Sequence, residues 1–148
     1  SMLVEEAMTA ELVTCDVDAT VRDATELMLR HRVGSVVVTA GGTPGGIVTE
    51  SDVLSAGYVA DEPLSSIPVR TAASSPLVTV QPSATLRTAT DRMRSEGVKK
   101  LVVVDGVTPM GIVTTQDVVD NYAEIRREVY EAATDATGWS ERDAGLDG

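Results

Sequence analysis

One segment of this chain is written twice. Displaced by about 65 residues, the chain aligns on itself without a gap, and about half of the aligned positions are identical. Leu12-Val13-Thr14 returns as Leu77-Val78-Thr79, and Ala19-Thr20-Val21-Arg22 returns as Ala84-Thr85-Leu86-Arg87. The closing run Gly46-Ile47-Val48-Thr49, followed by Asp52-Val53, returns as Gly111-Ile112-Val113-Thr114 and Asp117-Val118. A unit this short offers one apolar sheet face and too little volume to bury a stable core alone. Two units that pack sheet against sheet about a pseudo-twofold axis solve that problem, and they leave a cleft with two related pockets between them.

Each copy carries the same order of elements. A short β-branched strand (Leu12 to Val17) leads into a helix whose apolar residues Val21, Ala24 and Met28, or Leu86, Ala89 and Met93, fall on one face. Thr20 and Thr85 stand at the N-cap, with Asp23 at capping-box spacing from Thr20, and Gly97 is a C-terminal stop in the second copy. A second strand follows (Ser35 to Thr39, Lys100 to Val104), then a Gly- and Pro-bearing turn, a third strand at Ile47-Val48 or Ile112-Val113, and a helix from Thr49 or Thr114. The fold class expected is α/β (α+β): two tandem βαββα repeats packed sheet to sheet. The expected division is repeat 1 at 3–60, linker 61–68, repeat 2 at 69–122, an amphipathic C-terminal helix at 123–137, and a disordered tail at 138–148 with Trp139 as an anchor. Ser1, ahead of Met2, reads as a tag remnant and carries no weight.

Composition bears on environment rather than fold. There are 23 acidic and 12 basic residues for a net charge of -11, and Lys99 and Lys100 are the only lysines. So acidic a surface repels nucleic acid and anionic membrane. Acidic, lysine-poor chains resemble proteins of salt-loving archaea, which implies a halophilic source. No apolar run is long enough to span a bilayer and the first residues lack a secretion signal, so the expectation is no membrane partner. The single cysteine, Cys15, cannot form an internal disulfide, which points to a reducing, cytoplasmic setting.

The motifs Val98-Lys-Lys-Leu-Val-Val-Val-Asp105, Gly111-Ile-Val-Thr-Thr-Gln-Asp117 and Gly46-Ile-Val-Thr-Glu-Ser-Asp52 resemble those of tandem cystathionine-β-synthase (CBS) domains, over about Val4 to Tyr122. The resemblance implies a regulatory module, not an enzyme, that binds AMP, ADP, ATP or S-adenosylmethionine in the cleft between the repeats. It also implies a homodimer, an effector protein that receives the signal, and no required cofactor. A CBS pair used only as a non-binding dimerisation scaffold is the alternative.

The candidate ligand residues follow. In the family, the aspartate matching Asp52 and Asp117 accepts hydrogen bonds from ribose hydroxyls, a role suited to a carboxylate. Thr49 and Thr114 open the following helix, where their hydroxyls and the free N–H groups would face a phosphate. Ser51 adds a hydroxyl in copy one and Gln116 an amide in copy two. Thr-x-x-Asp is equally a capping box, and the pattern alone leaves both roles open. The positions of Lys99 and Lys100 often carry basic residues that reach ligand phosphates, yet strand alternation sends neighbours to opposite faces, so at most one should face the cleft. A charged pair guarding a strand edge is the other reading. Copy one has Gly34 and Ser35 there, so the pockets should be unequal. By resemblance, Val13 and Val33, or Val78 and Val98, would flank the base, with backbone near Met8 and Ala73 reading its edge.

Other chemistry finds little footing. One histidine (His31, read as a helix-end residue) and one cysteine cannot assemble an ordinary zinc site, so no metal is expected. No nucleophile elbow is present, and the Gly41 to Gly46 stretch lacks the Lys-Ser/Thr of a phosphate loop, so no catalytic residue is expected.

Overall fold

The computed structural model describes residues 1–137; the tail at 138–148, including Trp139, lies outside the described residues. The first copy comprises α1 (Val4–Ala7), β1 (Thr14–Asp16), α2 (Val21–His31), β2 (Ser35–Ala40), β3 (Thr43–Thr49) and α3 (Glu50–Ala60). The second repeats the series as α4 (Val69–Ala72), β4 (Thr79–Val80), α5 (Leu86–Glu96), β5 (Lys100–Asp105), β6 (Thr108–Thr114) and α6 (Thr115–Asp120), and α7 (Tyr122–Thr137) follows. A 3-10 turn at Leu64–Ser66 sits in the linker.

Each copy forms a three-stranded sheet, ordered β1-β2-β3 and β4-β5-β6. The helical crossover makes the first pair parallel, and the tight turn makes the second pair antiparallel. Local sequence sets the helix limits as expected. Thr20 and Asp23 close a capping box on α2, and α5 ends on Gly97 in the left-handed conformation (φ 67°) that glycine adopts without strain. The matching residue at the end of α2 is Arg32, which holds φ 55° without that freedom.

Strand alternation divides the apolar residues among three cores. Val36, Val38 and Val48 face the helices of copy one together with Ala24 and Met28. Leu101, Val103 and Val113 do the same in copy two with Leu86, Ala89 and Met93. Val37, Val102 and Ile112 point the other way and meet between the sheets, with Leu12, Ile47 and Leu77 around them. This third cluster is the expected sheet-to-sheet packing.

The lead-in helices cross over. Val4, on α1 before the first copy, is fully buried in the core of the second, and Val69, on α4, is fully buried in the core of the first. Beyond α1, Thr9 pairs with Ile112 through N–H···O bonds of 2.9 and 3.0 Å; beyond α4, Ser74 pairs with Ile47 at 2.8 and 3.1 Å. The glycines repeated at 46 and 111 make these crossings possible. A Cβ on Gly111 would stand 2.4 Å from the Thr9 carbonyl oxygen, and one on Gly46 would stand 3.0 Å from that of Ser74.

The helix that opens at Thr114 and the C-terminal helix are separate elements. α6 stops at Asp120, and Asn121 adopts a non-helical conformation while its side-chain amide donates to the Asp117 carbonyl at 2.7 Å. α7 then restarts and lays Ile125 against the copy-two core.

Candidate functional site

Two clefts flank the seam between the sheets, and the crossing segments give each a mixed lining. The first, about 230 Å³, combines Thr49 and Asp52 of copy one with Val78, Val98, Lys99 and Lys100 of copy two. The second, about 250 Å³, combines Val13, Val33 and Ser35 of copy one with Thr114 of copy two, and Lys100 lines it too. The valines of one copy thus face the Thr-initiated helix of the other. Val78 with Val98, and Val13 with Val33, offer aliphatic flanks. The polar groups stand across from them at the start of α3 or of α6. Both clefts fall a little below the roughly 300–1,000 Å³ usual for small-molecule sites, so a ligand would keep part of itself in solvent.

The lysines depart from the alternation argument, because both line the first cleft. The reason is local: β5 begins at Lys100, so Lys99 precedes the ladder and is free of its two-residue period. Lys100 shares the face of Val102, aimed at the seam, and it is half-buried. Burial pulls its ammonium below the ordinary value, while the carboxylates of Glu50 and then Asp52 pull it up.

The capping box and the candidate carboxylates are one object. Asp52 Oδ2 accepts from the Thr49 N–H at 2.8 Å and from its hydroxyl at 2.9 Å, and the Asp52 N–H donates back to Thr49 Oγ1 at 3.3 Å. Asp117 and Thr114 repeat the pattern at 2.8, 3.1 and 3.2 Å. Among the described hydrogen bonds none falls on Oδ1 of either residue, so that oxygen is available to a further donor. The two differ in placement: Asp52 lines the first cleft, whereas Asp117 lines neither.

Two expectations do not hold. The helix starts are not open phosphate cradles, because the Glu50 N–H already donates to the Gly34 carbonyl at 3.2 Å and the Thr115 N–H to that of Lys99 at 3.0 Å. Glu50 and Asp52 also put negative charge on the first turn of α3, which repels an anion. Ser51 and Gln116 are exposed outside both clefts, because the residue two places past the N-cap turns away from the seam; Gln116 donates to Asp120 at 2.8 Å instead. The backbone expected near Met8 and Ala73 reaches the clefts one residue further on, where Thr9 lines the second and Ser74 the first.

Arg32 and Glu11 line the second cleft and were not among the candidates. The signal for Arg32 was in the repeat: a bulky cation occupies the helix-stop position that is Gly97 in the other copy. Glu11 lies 3.0 Å from His31 Nδ1, so the sole histidine is tied to the cleft rim. Cys15 is packed beside the copy-one core; burial, then Asp23 and Asp16, push its thiol up and keep it protonated. Among the described residues no three His, Cys, Asp or Glu side chains come together as a metal site, and no helix is long and apolar enough to cross a membrane.

The comparisons with known proteins agree with this architecture. The CBS domain family model matches residues 4–58 and again 66–124. CBS domain-containing protein YhcV of Bacillus subtilis is 29% identical over 118 residues, covering 80% of this chain and 84% of that protein. An uncharacterized protein of Methanocaldococcus jannaschii, MJ1404, is 31% identical across 84% of this chain, which spans 32% of its length. Among solved structures, an uncharacterized conserved protein of Pyrococcus horikoshii superposes with a TM-score of 0.73 at 25% identity, covering 82% of this chain and 92% of that one. CBS domain protein PAE2072 of Pyrobaculum aerophilum, solved in complex with AMP, superposes with a TM-score of 0.70 at 26% identity, covering 79% and 90%. With both of its copies matched and their sheets packed across a shared seam, this chain belongs to the CBS domain family as a tandem pair.

Proposed function

We propose that this chain is a regulatory sensor that binds an adenine nucleotide or a related adenosyl compound, such as S-adenosylmethionine, in the first cleft. One observation carries the reading: an available carboxylate oxygen on Asp52, two aliphatic flanks (Val78 and Val98) and two lysines converge on one cleft. Ribose hydroxyls suit the carboxylate, a flat base suits the valines, and phosphate suits the ammonium groups. The AMP carried by the Pyrobaculum relative supports this ligand class. No step of bond-making is required; occupancy acts by favouring one arrangement of the pair, which an effector protein reads.

A homodimer belongs to the same proposal. Leu29 on α2 and Leu54 and Tyr58 on α3 are 76%, 76% and 81% exposed, an apolar face that a second copy would cover. They adjoin a concavity of about 530 Å³ between α2 and α3, lined mainly by apolar groups with Arg32 and Glu50 at its edge. The acidic surface suits a salt-rich cytoplasm.

A thermal-shift panel of AMP, ADP, ATP, S-adenosylmethionine and NADH, run in low and in multimolar salt, tests the ligand. A true ligand at a hundred times its Kd stabilises by about 2.7 kcal/mol. If no adenosyl compound raises the melting temperature at millimolar concentration in either salt, the sensor reading fails and the scaffold reading replaces it.

A further inference from the structure

The pseudo-twofold axis gives the seam two clefts but only one lysine that lines both. Lys100 lines both of them, whereas its counterpart in copy one, Ser35, is a buried hydroxyl that lines only the second. The Lys100 side chain reaches across the seam to copy one, where Nζ lies 3.2 Å from the position a Cβ on Gly34 would take. Among the described residues it makes no hydrogen bond and no ion pair within 4.0 Å, although Glu50 and Asp52 are close enough to act on its charge. It is thus a half-buried ammonium held between two openings and committed to neither.

We infer that Lys100 is a shared phosphate ligand, so that the two clefts compete for it and the binding of one phosphate-bearing adenosyl ligand weakens the binding of a second. This rests on the proposed function and adds a coupling rule to it. The ammonium has three donors but one position: turning Nζ into either cleft withdraws it from the other, so it makes its charge-assisted bonds to one phosphate at close range. The second ligand forgoes that bond and meets the first ligand's negative charge across the seam. The first cleft has the advantage because Asp52, a carboxylate with an oxygen available to ribose, lines it beside Lys99, whereas the second has Arg32 but only Glu11 as its carboxylate and lacks Asp117. Adenosine has no phosphate to compete with and should fill the clefts independently.

The coupling is read from full-length protein titrated with AMP and with adenosine, following the backbone amides of Val78 and Val98 for the first cleft and of Val13 and Val33 for the second by NMR. In wild type, AMP should fill the second cleft only at concentrations at least roughly tenfold above those that fill the first, the scale of one charge-assisted bond. Blocking the first cleft with Val78→Trp should tighten AMP at the second by a similar factor. That gain should vanish in Lys100→Met and should not occur with adenosine. Should Val78→Trp fail to fold, the wild-type and Lys100→Met titrations decide alone: the spacing between the two AMP midpoints must shrink in Lys100→Met. If the second cleft takes AMP equally well with the first filled or blocked, or if the spacing is unchanged without the lysine, the shared-ligand inference is overturned and the sensor stands. If AMP and adenosine perturb neither set of amides in wild type, both fall.

Discussion

Replacing Gly111 by alanine isolates the energetic weight of the crossed lead-ins. The new Cβ would lie 2.4 Å from the Thr9 carbonyl oxygen and 3.2 Å from the Met8 sulfur. An ordinary C···O contact is about 3.3 Å, so the lead-in backbone must retreat by about 0.9 Å. That movement stretches the reciprocal Thr9–Ile112 bonds, now 2.9 and 3.0 Å, past useful length. Two net hydrogen bonds at about 1 kcal/mol each, added to an overpacking cost of about 1–3 kcal/mol, give a loss of roughly 3–5 kcal/mol. At about 2–4 °C per kcal/mol for a chain of this size, the melting temperature should fall by about 10 °C. Gly46→Ala is the internal control, because its Cβ meets the Ser74 oxygen at 3.0 Å and a few tenths of an ångström of give suffices. It should cost about 1 kcal/mol. Calorimetry with urea titration measures the difference, and hydrogen exchange at Ile112 reports whether the crossing has opened. A Gly46→Ala protein as unstable as Gly111→Ala, or a Gly111→Ala protein within a degree of wild type, would refute the reasoning.

Asp52→Ala and Asp117→Ala should each cost about 1 kcal/mol of stability through the lost capping box, while only Asp52→Ala weakens AMP binding, by tenfold or more; calorimetric titration separates them. Lys99→Ala should weaken AMP severalfold and leave adenosine unchanged, which a competition assay with the two ligands detects. Burial lowers the Lys100 pKa, so from that lowered value up to the ordinary 10.5 the unfolded chain binds more protons and stability rises with pH; below the window the folded state carries the cost of a half-buried charge. Lys100→Met should therefore be more stable than wild type at neutral pH, with the gap narrowing toward pH 10 in parallel denaturant titrations. Leu54→Arg should shift the proposed homodimer toward monomer in analytical ultracentrifugation, because it places charge on the exposed α2–α3 face.

The sequence disclosed what the repeat could carry. Caps, strand order and the seam between sheets all follow from local pattern, and local pattern is copied faithfully by duplication. The crossing of α1 and α4 was hidden, because Val4 and Val69 look alike and no local spacing states which copy's core receives each. Gly46 and Gly111 were visible as a matched pair, but their cause is a neighbour some hundred residues away in one case. The lysines were misjudged by a single residue: alternation applies from Lys100 onward, and Lys99 stands just outside it. Asp52 and Asp117 are equivalent as letters and as caps. What separates them is the company at the seam, where lysine stands in one copy and glycine and serine in the other.

The crossed lead-ins also decide how such a chain can be taken apart. Cut in the linker, the first fragment would carry a valine that fills a hole in its sibling and would lack the one that fills its own. Each half is then the other's missing piece, and neither should hold a native core until they meet. The tandem pair is in effect an exchanged dimer joined by one stretch of linker. A ligand that wedges the seam therefore strains both halves together, and its occupancy is felt by the whole molecule.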